Sequence, residues 1–122
     1  MYRLEKDNSK VLLFEEVKIA DDFFSSLVGL MFKNTLTEES GLLLTSCNSI
    51  HTFWMRFPID VIFIDRDNRA VRLLEDFKPF RLSPVVFSAR KVLEVKSGSI
   101  FKKKIRVGDL LFSPTIYFSP TI

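Results

Sequence analysis

A chain of 122 residues is long enough for one domain with a real core and too short for two. Apolar residues make up 47% of it and thirteen residues are Phe, which excludes a disordered chain. One cysteine, Cys47, excludes an internal disulfide framework and fits a reducing cytosol. The net charge of +3 is uneven: residues 1–65 carry 6 basic and 10 acidic groups, residues 66–122 carry 12 and 5.

The charged opening, Met1 to Lys10, lacks the apolar centre of a signal peptide, and no apolar run approaches the roughly 18 residues of a membrane span. The expectation is a cytoplasmic protein with no membrane partner. Val11 to Ala20 reads as strand, broken by a bulge or turn at Glu15-Glu16. Asp21 or Asp22 is a plausible N-cap for a helix whose apolar face is Phe23, Phe24, Leu27, Leu30 and Met31, ending near Lys33-Asn34. Gly41 to Thr45 is too short for an ordinary helix and is predicted as strand.

Thr52 to Phe57 and Asp60 to Asp65 follow as two strand segments separated by Pro58, which cannot donate to a central ladder. Val61-Ile-Phe-Ile64 suits burial on both faces and is the candidate central strand. Turn chemistry at Arg66-Asp-Asn-Arg69 leads into Ala70 to Glu75, giving a hairpin. Pro79 and Pro84 mark an irregular connection before a strand over Ala89 to Lys96, in which Leu93 and Val95 are expected to share a face with Ala89. Ser97-Gly98 ends it, Ile100 to Ile105 suits a helical turn, and Leu110 to Phe112 is a last strand. The chain closes on a duplication, Phe112-Ser-Pro-Thr-Ile116 and Phe118-Ser-Pro-Thr-Ile122, too short to be a stacking repeat. The predicted fold is mainly β (α+β): a single-domain sandwich or distorted barrel over residues 1–112 with one covering helix, and a C-terminal extension at 113–122.

Three blocks in order, Val28-Gly-Leu-Met31, then Cys47 through Asp65, then Val92-Leu-Glu-Val95 with Ser97-Gly98 and Gly108-Asp109, resemble the family catalogued as domain of unknown function 192. The resemblance spans about residues 10–112 and implies a β-rich single domain without an assigned reaction. The chain departs from the family pattern after Asp65, where a turn glycine is usual and Arg66-Asp-Asn-Arg69 stands instead.

The central block is unusual on its own terms. It places the only histidine, His51, and the only tryptophan, Trp54, together with Arg56, Asp60 and Asp65 in a run otherwise fit for a core. An unpaired charge there would cost several kcal/mol or more. One reading is an Arg56–Asp60 ion pair that pins the bend at Pro58, with His51 hydrogen-bonded at a strand start. The other makes His51, Thr52, Trp54, Arg56 and Asp60 a ligand-binding site. If residues 51–56 are extended, Thr52, Trp54 and Arg56 share one face, and an indole beside a guanidinium suits an anionic or planar polar small molecule. A hydrolase or transferase using Cys47 as nucleophile, His51 as base and Asp60 or Asp65 as orienting carboxylate is the alternative. No metal site or cofactor is implied, because one histidine and one cysteine leave a tetrahedral shell incomplete and the Asp65–Asn68 turn has no glycine for a calcium loop. Lys102-Lys-Lys104 with Arg106 is the only basic cluster; it lacks interleaved aromatic residues, so nucleic acid ranks low as a partner.

Overall fold

The computed structural model describes residues 1–20, 36–53 and 55–113. The predicted helix over 21–34, Trp54 and the second FSPTI unit lie outside the described residues. Within them the strands are β1 (Tyr2–Leu4), β2 (Lys10–Leu12), β3 (Glu16–Ala20), β4 (Ser40–Thr45), β5 (Ile59–Asp65), β6 (Ala70–Phe77), β7 (Ala89–Lys96) and β8 (Leu110–Phe112). One short helix, α1 (Ser99–Lys102), follows β7. The strands make a three-stranded sheet in the order β2-β1-β8 and a five-stranded sheet in the order β3-β4-β7-β5-β6. The domain is a mainly β sandwich of two sheets, with no closed barrel among the described residues.

The interruption at Glu15-Glu16 is a change of sheet. Leu13 and Phe14 both donate their N–H to the Met1 carbonyl, Phe14 is fully buried, and the chain then leaves the small sheet to begin the edge strand of the large one. β3 runs parallel to β4, whereas the other pairings are antiparallel. A parallel pair requires a long crossover, and residues 21–39 connect the two.

Alternation along the inner strands divides the core. Leu43, Ile62, Ile64, Leu93 and Val95 face Phe14, Ile100, Ile105 and Leu111, filling the space between the sheets. Leu42, Leu44, Ile59, Val61, Phe63 and Val92 face the other way, where Leu36, Ile50 and Met55 cover them. Glycine at 41 suits this close packing, since a Cβ there would lie 3.1 Å from Val95 Cγ1 and 3.3 Å from the Glu94 carbonyl oxygen, tighter than ordinary contact. The hairpin turn needs no glycine: Asn68 adopts φ 63°, and Asp65 Oδ1 accepts the N–H groups of Asp67 and Arg69.

Three expectations are corrected. The centre of the large sheet is β7, not β5; the charged residues of β7 hide its position, although β5 is indeed buried on both faces. Ala89 does not share a face with Leu93 and Val95, because a register shift between Ile64 and Asp65 moves it to the outer cluster with Val92. Finally, residues 52, 53 and 55–57 are not strand. The Thr52 side chain bonds backbone groups of Lys78 and Arg81 on the facing loop and Met55 N–H folds back onto the Thr52 carbonyl, so the chain turns there.

Candidate site on the outer face of the large sheet

Glu94 sits in the middle of the central strand, paired across the backbone with Leu42 on one side and Val61 on the other. Strand alternation puts its carboxyl on the outer face with Val92. That side chain is buried, and Oε2 has no hydrogen-bond partner among the described residues. Desolvation pushes its pKa up to about 8, so the carboxyl is neutral through most of the physiological range. A buried polar atom left unpaired costs about 1–3 kcal/mol, and native proteins tolerate few of them. Apart from its place in a recurring motif, nothing marked Glu94 in the sequence. The available signal was a carboxylate within Val-Leu-Glu-Val, where a solvated strand would not keep apolar neighbours on both sides.

The wall beside Glu94 is built from two loops laced together. Residues 47–52 run against residues 80–90: Cys47 N–H donates to the Arg90 carbonyl, Ile50 N–H to Ser83 Oγ, Thr52 N–H to the Arg81 carbonyl, and Val86 N–H to the Asn48 carbonyl. Thr52 is buried; its hydroxyl donates to the Lys78 carbonyl at 2.7 Å and accepts from Arg81 N–H at 3.0 Å. His51, bridged to Leu82 and half-exposed, stacks on Phe53 at 4.8 Å between ring centres. Arg56 is exposed. Cys47, Phe57, Phe77 and Val86 are half-buried against the outer cluster and form its solvent-facing edge.

Asp60 belongs elsewhere. It lies on the inner side of β5 with Ile62 and Ile64, fully buried, and accepts N–H bonds from Asp76 on Oδ1 and from Gly98 and Ile100 on Oδ2, at 2.8, 3.1 and 2.9 Å. The expected Arg56–Asp60 ion pair is therefore not formed; backbone donors from β6 and the start of α1 replace the guanidinium. Asp60 ties β5 to β6 and to the start of α1, while Thr52 fastens one loop to the other. The remaining predicted residues with known placement, His51 and Arg56, stay on the loop side.

The catalytic alternative with Asp60 loses its geometry for the same reason, since Asp60 and the outer-face cysteine project to opposite sides of the sheet, and Asp65 Oδ1 instead accepts the N–H groups of Asp67 and Arg69 in its own turn. Cys47 Sγ donates to the Ser49 carbonyl at 2.9 Å, and burial pushes its thiol pKa up. A nucleophilic thiol needs the opposite shift. No three His, Cys, Asp or Glu side chains gather in a metal-binding arrangement among the described residues. Nor, among these residues, is any helix long and apolar enough to cross a membrane.

The basic cluster is committed to structure. Lys102 pairs with Glu38; Lys103 reaches the carbonyls of Leu13 and Glu38 and lies 4.0 Å over the Phe14 ring. An open groove of about 590 Å³ adjoins it, lined in part by Arg3, Lys6, Lys104 and Arg106. Its charge is largely answered from within: Arg3 contacts Glu5 and Asp109, and Asp109 also accepts the Arg106 N–H.

Comparison with known proteins places this architecture. The chain is 38% identical over 107 residues to the UPF0127 protein PH1112 of Pyrococcus horikoshii, covering 84% of this chain and 92% of that one. It is 34% identical over 99 residues to the UPF0127 protein PF1050 of Pyrococcus furiosus, covering 79% and 84%. Among solved structures, a Sinorhizobium meliloti protein named as a proposed transcription regulator superposes with a TM-score of 0.75 at 19% identity, covering 89% of this chain and 88% of that one. A protein of unknown function from Novosphingobium aromaticivorans superposes with a TM-score of 0.70 at 20% identity, covering 89% and 80%. At such identities the structural likeness speaks for the fold alone. Residues 3–112 match the family described as uncharacterized ACR, and the chain thus belongs to the domain of unknown function 192 family.

Proposed function

We propose that this protein is a small binding domain, its site on the outer face of the large sheet with the neutral carboxyl of Glu94 as polar anchor. The observation that carries this reading is the unpaired Oε2 of Glu94 in the central strand. A protonated carboxyl offers one donor and one acceptor side by side, which matches a planar polar ligand with a complementary pair, such as a carboxamide or a heterocyclic edge. That favours the planar polar over the fully anionic ligand, because an anion would meet a group that repels it once ionised. His51 and Arg56, on the loop that borders this face, and Trp54 next to them in sequence would contact the ligand's outer parts. Thr52 and Asp60 act by holding the loops and the strand in place. With one half-buried thiol and no disulfide, a reducing cytoplasmic setting suits the chain.

The test is a thermal-shift screen of planar polar and anionic small molecules against the parent, Glu94→Leu, Arg56→Lys and Cys47→Ser. Glu94→Leu removes the unpaired polar group at similar volume, so it is expected to raise the melting temperature and to abolish the ligand-induced shifts. Arg56→Lys should weaken hits bearing an anionic group, because an ammonium lacks the guanidinium fork. Cys47→Ser should retain them. Ligands that stabilise Glu94→Leu as well as the parent would remove Glu94 from the site.

A further inference from the structure

The connection between β6 and β7 presents its apolar side chains outward. Phe80 is 67% exposed, Leu82 70%, Val85 51% and Phe87 83%. Exposed apolar residues scattered singly are ordinary, but four within eight residues form a patch that calls for an explanation. The backbone beneath them is held firmly: Phe80, Ser83 and Val86 donate to the carbonyls of Thr52, Ile50 and Asn48, and Arg81 N–H to Thr52 Oγ1. Phe80 also adopts φ 61°, a left-handed conformation unfavourable for a bulky residue. Its ring, mostly in solvent, returns little packing for that strain. Phe53, 39% exposed, follows Thr52 on the adjoining loop.

Within this loop the charges share one sign, with Lys78 paired to Asp76 at its start. From Phe77 to Leu93 there is no Asp or Glu, while Lys78, Arg81, Arg90 and Lys91 are all basic. Arg90 braces the loop by donating to the carbonyls of Phe87 and Ala89.

We propose that this loop is a peripheral docking surface for an anionic lipid bilayer. Side chains as exposed as Phe87 and Leu82 stand off the protein, a convex arrangement suited to a deformable apolar phase. The basic residues among them complement acidic headgroups. Leu82 and Val85 offer no ring for base stacking, which argues against single-stranded nucleic acid as occupant. The lack of a spanning helix among the described residues concerns crossing a bilayer, not resting against one.

The experiment is co-sedimentation of the whole chain with phosphatidylcholine vesicles and with vesicles containing about one quarter phosphatidylserine, at low and high salt. The parent should bind the second kind only, less so at high salt. Phe80→Gly and Phe87→Ser should each lower binding by about tenfold, as expected on losing a partly inserted aromatic side chain. Phe80→Gly should at the same time keep or raise the melting temperature, since glycine accepts the left-handed backbone. This dissociates lipid binding from folding. Arg81→Gln should reduce binding by about fivefold. The proposal is overturned if the parent ignores anionic vesicles, if it binds both vesicle types alike, or if the Phe variants bind as the parent does. A monomer–dimer equilibrium abolished by Phe87→Ser without vesicle binding would assign the loop to a second copy of the chain. Loss of single-stranded oligonucleotide binding alone would assign it to nucleic acid.

Discussion

Glu94→Gln isolates the consequence of burying a carboxyl without a partner. The native protein keeps the proton up to about pH 8, whereas the unfolded chain releases it near the ordinary value of 4.5. Between those limits the folded state binds more protons than the unfolded one, so stability falls as pH rises. The slope is about 1.4 kcal/mol per pH unit, giving about 5 kcal/mol across the window. This is a large part of the roughly 5–15 kcal/mol that a small domain possesses. Glutamine is nearly isosteric and neutral throughout, so the variant lacks this contribution. At pH 5 the two proteins should unfold at urea midpoints within about 0.5 M of each other; by pH 8 the variant should lead by roughly 2 M, with unchanged slopes near 2 kcal/mol per M. Acidic groups whose pKa is lowered, such as Asp7, Glu38 and Asp76, lose their contribution at lower pH and are common to both proteins. The assay is urea unfolding by circular dichroism from pH 5 to pH 9. Parallel stability curves for parent and variant would refute the reasoning, because they would mean that Glu94 is ionised or paired in the folded state.

Asp60→Ala should destabilise the protein by about 3–5 kcal/mol, since it orphans three backbone donors at once, whereas Asp65→Ala, which releases two donors in an exposed turn, should cost about 1 kcal/mol or less; chemical denaturation compares them. Gly41→Ala should cost about 1–3 kcal/mol through the crowding of Val95 and Leu93, read as a lower melting temperature without loss of β signal. Alkylation of Cys47 by iodoacetamide should be slow at neutral pH compared with a free thiol, and equally slow in Glu94→Gln, because burial raises the thiol pKa and Glu94 is uncharged at that pH.

The elements whose residues carry their own instructions were legible from the chain. Val61-Ile-Phe-Ile64 has little choice but a strand buried on both faces, and Asp65 through Arg69 encodes its turn through side chains that bond their own backbone. Position 41, a glycine at the start of a strand, and the break at Glu15-Glu16 were visible as well, though what the break meant was not. The expected Arg56–Asp60 ion pair rested on nearness in sequence, which is not nearness in space. Arg56 and Asp60 are four residues apart, yet the turn at 52–57 and the return into β5 leave one exposed and send the other to the inner face. Conversely, Cys47 and Glu94 are far apart in the chain and share a face because β4, β7 and β5 pair side by side. A residue's type and its neighbours determine whether a segment is extended, turned or apolar. Which side chains meet is set by register and sheet order, and those depend on hydrogen bonds between segments that no local pattern contains. Tertiary structure therefore decided that Asp60 is a structural tie and that Glu94 is, among the described residues, the buried acid with an unpartnered oxygen.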